Sequence, residues 1–142
     1  MSNLAINKKD VVNLIATKVK DIYRDFKLTS GNCGVFAIAL KEIINDGELY
    51  GFDRTYHIVL KLEDKYLDGT GIYTKEEIEK QWYYKVEKED ITEQEILDGT
   101  CRDLDVKDMK KIILMWVKDR MSEAMRYYRD KHEYKRFKSW RG

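Results

Sequence analysis

The sequence predicts an α+β fold in which helices pack on a small antiparallel sheet, and three observations predict it. Apolar residues recur at helical spacing over 9–26, 33–44 and from 105 to about 128, they alternate with period two over 55–68, and turn residues separate these blocks. At 142 residues and 43% hydrophobic content, the chain is read as a single domain spanning 1–142, with no Pro-rich linker, low-complexity tract or repeat to divide it.

In chain order, Val12, Ile15, Val19, Ile22, Tyr23 and Phe26 mark an amphipathic helix over about 9–26 that packs one face inward. Residues 27–32 form a loop by composition. Val35, Phe36, Ile38, Ala39, Leu40, Ile43 and Ile44 then make a second helix apolar round much of its girth, which places it at the centre of the core. Asn45, Asp46 and Gly47 supply its stop.

Over 55–62, Tyr56, Ile58, Leu60 and Leu62 share one strand face, and His57, Val59 and Lys61 share the other. Glu63 and Asp64 interrupt the alternation before Lys65, Tyr66, Leu67 and Asp68 resume it, as in a β-hairpin. A loop centred on Glu63-Asp64 pairs Val59 with Asp68 and sets Asp68 on the His57 face, one diagonal step away; a slip of one residue would reverse that.

Thr74 with Glu77 and Thr92 with Glu95 fit capping boxes and predict two short helices, with a strand over 81–86 between them. From Asp105, a fitting N-cap, Met109, Ile112, Ile113, Trp116, Val117, Met121, Ala124 and Tyr128 predict one long C-terminal helix.

Charge narrows the function classes. With 27 basic and 26 acidic residues the net charge is +1, so no global field favours nucleic acid or an anionic membrane. The first ten residues lack the apolar region of a signal peptide, and no apolar run nears the roughly 18 residues of a membrane span, so the expectation is a soluble cytoplasmic protein. Two cysteines, Cys33 and Cys101, are too few for a disulfide scaffold and lack the clustering of a zinc site. They are read as reduced thiols, and no metal or organic cofactor is expected.

The informative string is Ser30-Gly31-Asn32-Cys33-Gly34, which sets Cys33 at the start of the buried helix. There the unpaired N–H groups and the positive end of the helix dipole stabilise a thiolate. His57 and Asp68 follow on adjacent strands, so the chain offers a thiol nucleophile, a base and a residue to orient the base. The Cys33 backbone N–H and the Asn32 side chain are the candidate oxyanion donors.

Gly31-Asn32-Cys33-Gly34-Val35-Phe36-Ala37, Tyr56-His57-Ile58-Val59-Leu60 and Tyr66-Leu67-Asp68-Gly69-Thr70-Gly71 together resemble the core of papain-like, transglutaminase-like cysteine enzymes. The resemblance covers about residues 30–73. It implies a nucleophile helix packed on an antiparallel sheet, with Cys33, His57 and Asp68 as a triad. Gly-Asn-Cys also resembles the nucleophile motif of ovarian-tumour-type deubiquitinases, but their His lies much further downstream. Two departures mark a compact version: Lys27 stands where papain carries an oxyanion-donating Gln, and the spacing from His57 to Asp68 is short.

The function expected is hydrolysis or transfer of an acyl group through a thioacyl intermediate, with a protein or peptide as substrate. The alternative is a scaffold without turnover that binds or inhibits a protein, through the basic aromatic C-terminal segment that carries Arg126, Arg129, Lys131, Lys135, Arg136, Lys138 and Arg141 among Tyr127, Tyr128, Tyr134, Phe137 and Trp140. That segment also leaves nucleic-acid binding open, although a helix end packing its aromatics on the domain accounts for it more simply. Cys101, in a turn-like stretch, reads as a structural thiol, and His132 as a solvated helix residue.

Overall fold

The computed structural model describes residues 7–17, 25–29, 31–52, 57–99 and 102–141, with the backbone alone over 132–141. The first helix, α1 (Lys8–Thr17), turns Val11, Leu14 and Ile15 inward. Its expected extension to Phe26 does not hold at its end. Residues 18–24 lie outside the described set, and 25–29 are turns in which Phe26 and Leu28 are fully buried while Lys27 takes a left-handed φ of 54°. Phe26 keeps the apolar spacing because it meets the same core: its ring packs edge-on against Trp116 at 4.9 Å.

The second helix, α2 (Cys33–Ile44), buries every residue from Cys33 to Leu40. It stops where expected, at Asn45, whose φ of 57° is left-handed and whose N–H returns to the Lys41 carbonyl.

A five-stranded sheet follows. Its strands are β1 (Glu48–Phe52), β2 (Ile58–Leu62), β3 (Lys65–Asp68), β4 (Gly71–Tyr73) and β5 (Val86–Lys88), ordered β4-β3-β2-β1-β5 with every neighbour antiparallel. The hairpin register is the expected one: Leu62 faces Lys65, Lys61 faces Tyr66 and Leu60 faces Leu67 across a two-residue Glu63-Asp64 turn, with Glu63 at φ 60°. One further antiparallel step sets Val59 opposite Asp68.

The expected strand over 81–86 is displaced. Helix α3 (Lys75–Trp82), begun by the Thr74 capping box, runs through Gln81 and Trp82, and Tyr83 closes it at a left-handed φ of 64°. The strand therefore starts only at Val86. The second capping box, at Thr92, opens α4 (Glu93–Asp98).

The sheet has two apolar faces. Leu49, Ile58, Leu60, Leu62 and Leu67 join the main core with α1, α2 and the C-terminal helices, while Phe52, Val59, Tyr66 and Val86 form a second core under Ile78 of α3. Alternation along β2 and β3 puts His57 and Asp68 on this second face, beneath α3.

The single C-terminal helix of the sequence reading is two helices, α5 (Val106–Val117) and α6 (Met121–Arg141). The chain breaks at Asp119, which has a φ of 61°, and the Arg120 N–H bonds the Met115 carbonyl at 2.8 Å. The apolar period crosses the break because Met109, Ile112, Ile113 and Trp116 before it and Ala124 and Tyr128 after it enter one core. Among the described residues no helix is long and apolar enough to cross a membrane.

Candidate active site

Cys33 is the first residue of α2, and its helix start is held by a polar clamp. Asn32, fully buried, donates through Nδ2 to the Phe26 carbonyl at 2.8 Å and to Asp103 Oδ1 at 2.7 Å, and its Oδ1 accepts from the Asp103 backbone N–H at 3.1 Å. Both hydrogens of its amide are thus committed. The expected oxyanion role of Asn32 is corrected to a structural one, since an amide with two N–H groups has none left for substrate.

Asp103 also accepts from the Tyr128 hydroxyl at 2.7 Å and lies 3.7 Å from Lys27 Nζ. The loop before Cys33 is in this way fastened to the chain between α4 and α5 and to α6. Asn32 makes no side-chain cap to its own helix, so its amide does not cover the N–H groups of the first turn of α2.

The same loop passes against the β3–β4 turn. A Cβ on Gly69 would collide with Leu28 Cβ, so Gly beside Asp68 is a packing requirement as well as a turn residue.

His57 Nε2 lies 2.8 Å from Asp68 Oδ2, with both side chains almost completely buried. An ionised carboxylate only accepts, so Nε2 carries the proton donated to it, and in the neutral ring Nδ1 is the unprotonated nitrogen. Burial pushes the imidazole pKa down; hydrogen bonds to Asp68 and Cys33 and the charges of both outweigh it, so the ring sits above its ordinary value. Asp68 is satisfied on its other oxygen as well, where Oδ1 accepts the backbone N–H and the hydroxyl of Thr70, each at 2.7 Å.

Cys33 at the start of α2, His57 just before β2 and Asp68 at the end of β3 therefore come together at the end of the sheet. Above the imidazole lies an aromatic cover that the sequence reading missed. Trp82, the last residue of α3, stacks on the His57 ring at 3.9 Å and 18°, and Phe52 of β1 lies 6.0 Å from both rings. Exposure falls to 5% for Cys33, 3% for His57 and 2% for Asp68.

Residues 11–117, well over half of the chain, match the Phage YunG-like protein family. The chain belongs to that family. No curated protein and no solved structure matches it. The region shared with Phage YunG-like proteins runs from within α1 to the end of α5 and encloses Cys33, His57, Asp68, Trp82 and Asp103, whereas α6 lies beyond it.

In this family member the described part of the basic aromatic segment is used within the fold. Tyr127 donates to Asp108 at 2.7 Å and Tyr128 to Asp103, and Lys131 lies 3.5 Å from Asp108 and over the Tyr127 ring. Burial, then the Asp108 hydrogen bond, pushes the Tyr127 phenol up to about 12. Cys101 and the side chains of 132–141, His132 included, lie outside the described residues. Among those described, no group of three or more His, Cys, Asp and Glu could hold a metal ion.

Proposed function

We propose that the chain is a thiol-dependent acyl hydrolase or acyl transferase built on a compact papain-like, transglutaminase-like core. One observation carries this reading: a buried imidazole lies 2.8 Å from Asp68 through Nε2 and is electrostatically coupled to Cys33, the first residue of α2. That is the arrangement of nucleophile, base and orienting carboxylate.

In the reaction, His57 takes the Cys33 proton and the thiolate attacks a substrate carbonyl. A C–S bond forms, and the carbonyl electron pair becomes an oxyanion beside the N–H groups of the first turn of α2. Collapse breaks the bond to the leaving group, which takes its proton from the His57 imidazolium. Water or an amine, deprotonated by the neutral imidazole, attacks the thioester, breaks the C–S bond and returns the thiolate. Asp68 keeps the ring in the tautomer that both proton transfers need. The substrate is an amide, isopeptide, thioester or glutamine side chain of a protein or peptide, and the reaction needs no cofactor.

The depth of the site favours a second reading. A thiol only 5% exposed under a tryptophan cover suits a scaffold that has kept the triad without turnover and binds a protein instead.

Alkylation separates the two. With iodoacetamide and modified residues mapped by mass, the enzyme reading expects Cys33 to react much faster than Cys101, with an inflection below about 7.5 that His57→Ala abolishes. Equal slow alkylation of both thiols, with no dependence on His57, overturns the enzyme reading in favour of the scaffold.

A further inference from the structure

Asp68 does more than face His57. Its Oδ1 is the end of a chain of hydrogen bonds that runs outward through the β3–β4 turn to α3. Thr70 Oγ1 lies 2.7 Å from Asp68 Oδ1, 2.6 Å from the Tyr73 hydroxyl and 3.4 Å from Gln81 Nε2.

Proton counting fixes the direction of the chain. The ionised carboxylate has no hydrogen to give, so the one hydroxyl hydrogen of Thr70 goes to Asp68. Tyr73 must then donate to Thr70, and the weaker contact from Gln81 is a second donation to the same oxygen. The Thr70 backbone N–H adds a further bond to Oδ1. With two donors on Oδ1, the carboxylate is held against rotation and Oδ2 is left facing the imidazole.

We propose that Thr70 is a positioning residue of the triad, oriented by Tyr73 and Gln81, which locks the Asp68 carboxylate toward His57 and couples the site to α3. This rests on the acyl-chemistry reading, because a locked carboxylate matters only where the imidazole must hold one tautomer and stabilise its charged form. The link is economical in structure: Gln81 touches Thr70 while the next residue, Trp82, stacks on His57, so the end of α3 contacts His57 directly and reaches Asp68 through Thr70.

Among the described residues, the titratable groups that face the imidazole are Cys33 from α2 and Asp68 from β3. Phe52 from β1 and Trp82 from α3, also packed on the ring, carry no charge. Tyr73 from β4 faces Asp68, and the charge that α3 sends toward Tyr73 is Glu77.

The test is the pH profile of Cys33 alkylation by iodoacetamide in the full chain, for wild type, His57→Ala, Thr70→Val, Thr70→Ser and Tyr73→Phe. Thr70→Val leaves Oδ1 with the backbone N–H as its one donor from the turn, loosens the carboxylate, weakens its hold on the imidazolium and moves the inflection upward by about one unit. Thr70→Ser restores the hydroxyl and the wild-type profile, and Tyr73→Phe gives a smaller shift in the same direction. A residue that only stabilised the turn would lower the melting temperature without moving the inflection.

An inflection that His57→Ala abolishes but Thr70→Val leaves in place overturns the positioning role alone. An inflection indifferent to His57→Ala overturns the thiol–imidazole reading, and the role of Thr70 with it. Should Thr70→Val not fold, Tyr73→Phe decides, since it removes only a half-buried phenol oxygen; an unmoved inflection there overturns the proposal.

Discussion

At the scale of single residues, Asn32 shows how the neighbour of a candidate nucleophile can be committed wholly to structure. It sits directly before Cys33, where the sequence reading expects an amide donor to an oxyanion, yet its three hydrogen bonds all go to the protein. Two of them reach Asp103, 71 residues further on, a partner that nothing local in the sequence announces. Truncating this side chain strands the Phe26 carbonyl and leaves the Asp103 backbone N–H and carboxylate short of a partner in a buried setting. Asn32→Ala is accordingly expected to lower the unfolding free energy by about 3 kcal/mol in urea titration, the sum of several unsatisfied groups. An unchanged urea midpoint together with a loss of turnover would restore Asn32 to the oxyanion hole.

At the scale of elements, what was legible in the sequence is what a local pattern specifies. The start of α2 follows from small turn residues before an apolar run, and the capping boxes at Thr74 and Thr92 form as read. The β2–β3 register follows from period-two alternation across a two-residue interruption, and it is this register that brings Asp68 to His57. The short strands β1, β4 and β5 were not legible. Gly51 interrupts the first, and the other two have three residues each, so neighbouring strands supply the order that their own patterns lack. The extent of α3 was missed for a different reason. Its C-cap, Tyr83, takes a left-handed conformation in which a bulky side chain is disfavoured, so sequence gave no stop signal of the usual Gly or Asn kind. Tyr83 is also 86% exposed, and its ring therefore contributes little packing to offset that strain. Tyr83→Gly is expected to stabilise the fold by about 0.5–1 kcal/mol, read as a higher urea midpoint. A lower midpoint would mean that the tyrosine ring holds the end of α3, and with it Trp82, in place.

At the scale of the whole molecule, Cys33, His57 and Asp68 are brought together by a sheet whose two faces are covered by different helices. α2 belongs to the main core and delivers Cys33, while His57 and Asp68 lie on the opposite face under α3, so the three residues converge only at the sheet end. This two-sided burial couples the site to global stability. His57 is buried, and its pKa is raised because Asp68 and Cys33 together outweigh the cost of desolvation. A folded-state value above the unfolded one means that the native chain binds more protons between the two. The resulting stabilisation is complete below the ordinary imidazole value of 6.5 and is lost as pH rises through the raised folded value. His57→Gln removes this titration and leaves the other pH-dependent groups in place. The gap in unfolding free energy between wild type and His57→Gln should therefore be wider at about pH 5.5 than at about pH 8.5, on either side of the imidazole range. Urea titration of both proteins at the two pH values measures it. A gap that does not change with pH would mean that His57 keeps the same proton count folded and unfolded, and that Asp68 and Cys33 do not hold its charged form; a gap that widens with rising pH would mean that burial has won and the ring is kept neutral.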